Sequence, residues 1–161
     1  MKTSKLVVLL LSAVALTGCA RGSGKGKGSL KKVTYEEFHE KALAAAENRA
    51  EAGYTQVKVT GSAVISGRSM TFNSTFDVKD GVVTVVPTTE EEALASSIVS
   101  MTAENIPEDE LTNYYAGTTF KITINEDGQK GEALFDKYGL MTSYKVEYDE
   151  SNMNLTAKWS K

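Results

Sequence analysis

The sequence predicts an α+β domain: a single antiparallel twisted sheet of about seven strands, with an N-terminal helix and a central helical insert packed on its apolar face. Three observations support this prediction. An amphipathic stretch with a capping signal opens the body at Thr34, three segments of alternating polarity follow, and four more such segments close the chain after a second helical stretch. Strands and helices that are each apolar on one side are typical of this class.

The predicted first helix begins at Thr34 and ends near Ala52. Thr34 and Glu37 have the spacing of a capping box, and Gly53 is a natural residue just beyond a helix C-terminus. The apolar stripe at helical spacing comprises Tyr35, Phe38, Ala42, Leu43, Ala46 and Ala50. Such a helix needs an apolar partner surface, which we expect the sheet to provide.

The predicted strands are short segments in which apolar and polar residues alternate between turn signals. Asp80-Gly81 is a strong signal, because these residues accept the left-handed backbone of a two-residue hairpin. The first three strands cover residues 57–65, 70–78 and 82–86. The last four cover residues 120–124, 133–135, 140–148 and 153–159.

The predicted insert between the two groups of strands is helical. Thr88 or Thr89, followed by three glutamates, is a capped helix start in which the acids face the positive end of the helix dipole. We expect this helix over residues 90–104. Pro107 is expected to begin a further short helix that ends at Gly117.

The first 18 residues have the composition of an export signal. Lys2 and Lys5 precede an apolar run over residues 6–16, and the small residues Thr17 and Gly18 follow. The apolar run is too short for a membrane-spanning helix, which needs about 20 residues. We therefore expect this segment to be removed from the mature protein.

Leu16-Thr17-Gly18-Cys19 resembles the lipobox of bacterial lipoproteins. The resemblance implies that the Cys19 thiol carries a diacylglyceryl group, that a signal peptidase cuts between Gly18 and Cys19, and that the new amine is acylated, for example with palmitate. Because Cys19 is the single cysteine of the chain, we expect no disulfide and no cysteine-based metal site. The expected location is the extracytoplasmic side of the cell membrane or the outer membrane.

Three segments follow from this interpretation: a signal peptide over residues 1–18, a lipidated, flexible Gly/Ser/Lys tether over 19–33, and a globular domain over 34–161. The chain has a formal charge of −3, but the body from Thr34 onward carries 11 basic and 21 acidic residues. Each basic residue of the tether contributes about 1 kcal/mol beside anionic lipid, whereas an acidic body is repelled. We expect a domain held off the membrane, and no nucleic-acid partner.

The body carries no recognisable catalytic pattern, and we expect neither an enzyme nor a cofactor. His39 is the single histidine, lies in the apolar stripe of the first helix and has no nucleophile motif beside it. A zinc site is not expected. Glu90–Glu92 and Glu108–Glu110 are interpreted as helix-start and solvent-facing acids, with calcium binding or a glycosidase carboxylate pair as the open alternatives.

The order of elements resembles the lipoprotein-carrier family, whose unclosed β half-barrels hold helices against an apolar cavity; cystatin-like folds share the order. The resemblance implies such a cavity, and the anchor together with the one-sided apolar sheet leads us to expect a lipid or other apolar small molecule between the sheet and the second helix. Candidate lining residues are Phe38, Phe72, Phe76, Leu94, Ile98, Met101, Phe120 and Tyr144. The alternatives are a packed core at these positions, and a module that binds a protein or envelope polymer through the polar sheet face or a sheet edge.

Overall fold

A computed structural model describes residues 30–126 and 129–161, whose strands form one antiparallel sheet. The helical elements are α1 (Tyr35–Glu47), a 3-10 turn (Arg49–Ala52), α2 (Glu90–Val99) and a second 3-10 turn (Ala103–Asn105). The strands are β1 (Lys31–Val33), β2 (Gln56–Ile65), β3 (Arg68–Lys79), β4 (Val82–Val83), β5 (Thr112–Ala116), β6 (Phe120–Glu126), β7 (Gln129–Phe135), β8 (Met141–Tyr148) and β9 (Ser151–Ser160). Their order across the sheet is β1-β5-β6-β7-β8-β9-β2-β3-β4. The α+β class and the antiparallel sheet are therefore confirmed.

The predicted strand count of about seven is wrong, because the described residues form nine strands. The two additional strands, β1 and β5, pair with each other at one edge of the sheet. β1 lies at the end of the segment predicted to be tether. The short helix predicted after Pro107 is replaced by β5, because this segment pairs with β6. Tyr114 of β5 also packs against Phe38, with ring centroids 5.2 Å apart.

The two helix starts agree with their predicted caps. The Thr34 hydroxyl accepts a hydrogen bond from the Glu37 amide at 3.1 Å, and Thr89 does the same for Glu92. Both helices are shorter than predicted. After Glu47 the chain continues as a 3-10 turn that ends at Gly53 in the left-handed region.

α2 ends at Val99 because the chain beyond it bonds elsewhere. Thr102 forms an isolated β-bridge with Leu140, and the Ala103 amide donates to the Gly139 carbonyl at 3.0 Å. These contacts satisfy backbone groups that a continued helix would bond internally. The helix predicted over 90–104 is therefore replaced in its last turn by a connection to the β7–β8 turn.

The hydrophobic core lies between the helices and one face of the sheet, called here the inner face. Phe38 and Ala42 of α1 share one buried cluster with Ala95, Ile98 and Val99 of α2. The inner-face strand residues of that cluster include Val57, Val59, Phe72, Phe76, Ile122, Phe135, Tyr144 and Leu155. The opposite, outer face carries the alternating polar residues. In residues 30–126 and 129–161, no helix has the length and apolarity to cross a membrane.

Candidate functional site

An open groove of about 390 Å³ lies between α2 and the β2–β3 hairpin. Its lining residues are Ile65, Arg68, Met70, Glu90, Ala93, Leu94 and Ser97. Both elements contribute apolar side chains to the walls, and the charged side chains lie where the strand and the helix begin. The volume falls within the range of about 300–1,000 Å³ that is common for small-molecule sites.

The hairpin turn places two of the lining residues on the inner face. Ser66 and Gly67 both have positive φ, at 51° and 80°, as a two-residue turn that follows the twist of the strands requires. The turn makes Ile65 and Arg68 the last paired residues of the hairpin. Because side chains of directly paired residues share a face, both lie on the side of the sheet that the helices cover.

An ion pair spans the groove at its outer end. Arg68 Nη2 donates to Glu90 Oε1 at 2.8 Å, and the two side chains are 63% and 62% exposed. The hydrogen bond to Glu90 raises the pKa of Arg68 above its ordinary value. An exposed pair of this kind contributes little to stability, because solvent screens the attraction between its two charges.

The predicted lining residues are brought together on the inner face, but most of them belong to the packed core. Phe38, Phe72, Phe76, Ile98, Phe120 and Tyr144 are at most 3% exposed. Met101 is half-buried against the same core. Leu94 alone of the predicted set is among the groove residues.

Sequence reasoning missed the other groove residues. Ile65 and Met70 look like ordinary core positions in the strand pattern, yet Ile65 remains 36% exposed because it ends its strand beside α2. Ala93 and Ser97 carry no signal, since small residues on a helix are common. The position of Arg68, a charge on the apolar face of a strand, was the one available sign of an opening at this end.

Two larger hollows are less suited to an apolar ligand. One, of about 530 Å³, lies beside β1 and is lined by Lys32 and the acidic segment 108–110 among others. The other, of about 550 Å³, lies at the end of the β8–β9 hairpin and is lined mostly by exposed charged and amide side chains. Neither of them lies between the sheet and α2, where the ligand is expected, so we take the groove as the candidate site.

His39 and Glu92, which were also singled out in the sequence, do not line the groove. The His39 ring stacks on Tyr35 with centroids 5.5 Å apart, and its Nδ1 is buried without a hydrogen-bond partner in the part of the chain described. No group of three or more metal-ligating side chains occurs among those residues. Glu92 accepts from the Thr88 amide at 2.8 Å, which lowers its pKa and fixes the start of α2. Gly18 and Cys19 lie outside the described residues.

Comparisons of the chain with family models, with curated proteins and with solved structures found no match.

Proposed function

We propose that this chain is a lipid-anchored binding protein of the cell envelope, and that the groove between α2 and the β2–β3 hairpin binds the apolar part of an amphiphilic ligand. The anchor is the part of the proposal that comes from the sequence, through the lipobox pattern at Cys19. The groove is the single structural observation that supports binding, because it lies between the sheet and the second helix.

The chemistry of the groove favours a ligand with an apolar chain and a polar end. Ile65, Met70 and Leu94 provide apolar contact area, and burying a methylene group against such walls contributes about 0.8 kcal/mol. Arg68 and Glu90 lie where a polar head group would remain in water. A lipid or fatty acid meets both requirements.

Filling the groove tests this proposal. Ala93→Trp places an indole among the lining residues, and Ala44→Trp adds the same group to an exposed position of α1 that does not line the groove. We expect Ala93→Trp to weaken binding of a fluorescent long-chain fatty acid at least tenfold and to remove lipid adducts from native mass spectra, while Ala44→Trp leaves both unchanged. Equal binding by the two variants would refute the assignment of the groove.

The anchor is tested separately. The wild-type protein, expressed in bacteria fed radiolabelled palmitate, should incorporate the label and remain in the membrane pellet after a carbonate wash. Cys19→Ser should lose both properties, because the thiol is the predicted acceptor of the lipid. Processing and retention identical to wild type would show that the membrane association does not depend on Cys19.

The second candidate function is binding of an extended peptide at the sheet edge. β4 pairs with β3 only through Val78 and Lys79. From Arg68 to Phe76, no strand in the described part of the chain pairs with the edge of β3 that faces away from β2. Such an edge can add a strand from a partner. Retention of peptide but not of fatty acid by the wild-type protein would favour this alternative.

A further inference from the structure

The outer face of the sheet is basic although the body as a whole is acidic. The strand register places Lys58 beside Lys158, Lys145 beside Glu132, and Lys130 beside Glu147 on this face. In the strands that the structure describes, seven lysines occupy outer-face positions, namely Lys32, Lys58, Lys79, Lys121, Lys130, Lys145 and Lys158. The acids at outer-face positions are Asp77, Glu132 and Glu147.

The acids of the body are concentrated on the other side. α1 has Glu36, Glu37, Glu40 and Glu47, and its one basic residue is Lys41. α2 begins with three glutamates and contains no basic residue. The segment 108–110 adds three more acids beside β1. The domain is therefore polarised, with a positive sheet face and a negative helical side.

The basic face is continuous with the start of the chain. β1 is an edge strand, Lys32 pairs with Tyr115, and Lys121 lies over the Tyr115 ring at 4.7 Å from its centroid. In the sequence, Arg21, Lys25 and Lys27 come shortly before β1. We infer that the outer face of the sheet docks on the anionic surface of the bilayer, with the helices directed away from it.

Screening explains how an acidic domain can bind an anionic surface. The Debye length is about 8 Å at physiological ionic strength, and a layer packed on a sheet lies about 10 Å from it. The helical acids are therefore largely screened from a surface that the outer-face lysines touch. Lysines near such a surface are attracted to it, and the seven on this face outnumber the three outer-face acids.

The occupant is taken to be a bilayer because the proposed lipid anchor would hold this face near one. The inference rests on that part of the proposed function and not on the groove. If a soluble polyanion were the partner, the same lysines would be involved, and the experiment below separates the two cases.

Lysine acetylation of the full-length protein tests the inference. The protein is purified in detergent, reconstituted on vesicles of phosphatidylcholine alone or with about 30% phosphatidylglycerol, and treated with a water-soluble acetylating reagent. Mass spectrometry then reports the labelling of each lysine. We expect labelling of Lys58, Lys130 and Lys158 to fall several-fold on the anionic vesicles only, and to recover at about 1 M salt, where the screening length is about 3 Å.

Internal and variant controls make the result specific. Lys41 on α1 and Lys137 in the β7–β8 turn are exposed and lie off the face, so their labelling should not change. Ala93→Trp should leave the pattern intact, which separates this inference from the groove. Replacing Lys58, Lys130 and Lys158 with glutamine should reduce the protection of Lys145.

Three outcomes would overturn the inference: equal labelling on both kinds of vesicle, protection of Lys41 instead of the outer-face lysines, or protection by soluble polyphosphate but not by anionic vesicles.

Discussion

Two ion pairs of nearly equal length lie at opposite ends of the β2–β3 hairpin, and they differ in almost everything else. At one end, Arg49 bonds both oxygens of Glu104 at 2.7 and 3.1 Å and also donates to the Tyr138 carbonyl at 2.8 and 3.0 Å. These two side chains are only 11% and 14% exposed. At the other end, Arg68 and Glu90 make one contact and are mostly in water.

The two pairs differ in burial and in the number of partners rather than in distance, and these two properties largely decide what an ion pair contributes to stability. The Arg49 guanidinium joins three separate segments: the turn after α1, the turn after α2 and the β7–β8 turn. Removing it would leave a carboxylate and a carbonyl without their partner in a poorly solvated site. The Arg68 pair joins only a hairpin to a helix start and is mostly in water, so we expect its loss to cost little stability. We call the two regions the closed end and the open end.

The largest expected effect is that of Arg49→Met. It removes every hydrogen bond of the guanidinium while keeping an unbranched apolar side chain, and we expect the free energy of unfolding to fall by about 3 kcal/mol. Urea unfolding followed by circular dichroism measures it. Arg68→Met is the matched control, and its cost should be only a small fraction of that of Arg49→Met, because its ion pair is exposed to solvent. Similar losses for the two variants would remove the distinction between the ends.

The pH dependence of the closed end gives the next effect, which is smaller than that of Arg49→Met. Burial alone would raise the pKa of Glu104, but hydrogen bonds from Arg49 and other contacts bring it below the ordinary 4.5. Because the pKa of Glu104 is lower in the folded than in the unfolded protein, its ionised carboxylate stabilises the fold at pH values above the unfolded pKa of 4.5. This stabilisation is lost as the pH falls through 4.5 and then through the folded-state pKa.

Unfolding of wild type and Glu104→Gln at several pH values measures this contribution. The stability difference should be greatest near neutral pH and shrink on acidification. Asp136, whose pKa is raised by burial, is present in both proteins and cancels from the difference. A difference that stays constant from neutral to acidic pH would mean that the charge of Glu104 contributes nothing to the closed end.

Two turn glycines allow the ends to be compared through the backbone. Gly81 at the closed end and Gly67 at the open end have φ of 82° and 80°. A Cβ at Gly81 would lie 2.6 Å from Arg49 Cδ and 3.0 Å from Leu140 Cδ2, whereas one at Gly67 would meet nothing within 4 Å. We expect Gly67→Ala to cost about 1 kcal/mol for the left-handed backbone alone, and Gly81→Ala about 2 kcal/mol. Equal shifts in the midpoint of thermal unfolding would show that the Arg49 side chain moves aside for the added methyl group without a measurable cost.

The parts of the fold that sequence predicted well are those fixed by neighbours in the chain. Thr34 and Thr89 cap their helices through residues three positions away, and Gly53 ends the first helical segment by its own backbone preference. β1 and β5 were missed because each depends on the other. Lys31–Val33 has a single apolar residue, and the spacing of Leu111 and Tyr114 suits a helix equally well until β6 pairs with that segment.

The groove and the basic face could not be predicted for a related reason. Leu94 lies in the groove while Ile98, one turn later, is 1% exposed, and only the placement of α2 over the sheet decides between them. The formal charge from Thr34 onward suggested general repulsion from anionic lipid. It could not show which face each charge occupies, because that depends on the register of all nine strands.

Arg68→Met is expected to have the smallest effect on stability. Its effect on ligand binding is the sharpest test of the open end. The change removes the exposed pair across the groove at little cost in stability and adds an apolar side chain beside Ile65 and Met70. If the Arg68–Glu90 contact has to break when a ligand enters, the association rate of a fluorescent fatty acid, measured by stopped flow, should rise several-fold while the unfolding midpoint hardly changes.

Arg49→Met should leave that rate unchanged under conditions in which the variant remains folded, because its contacts lie at the other end of the hairpin. An unchanged rate in Arg68→Met, or a slower one, would show that the exposed pair does not restrict entry to the groove, and the open end would then differ from the closed end in stability alone.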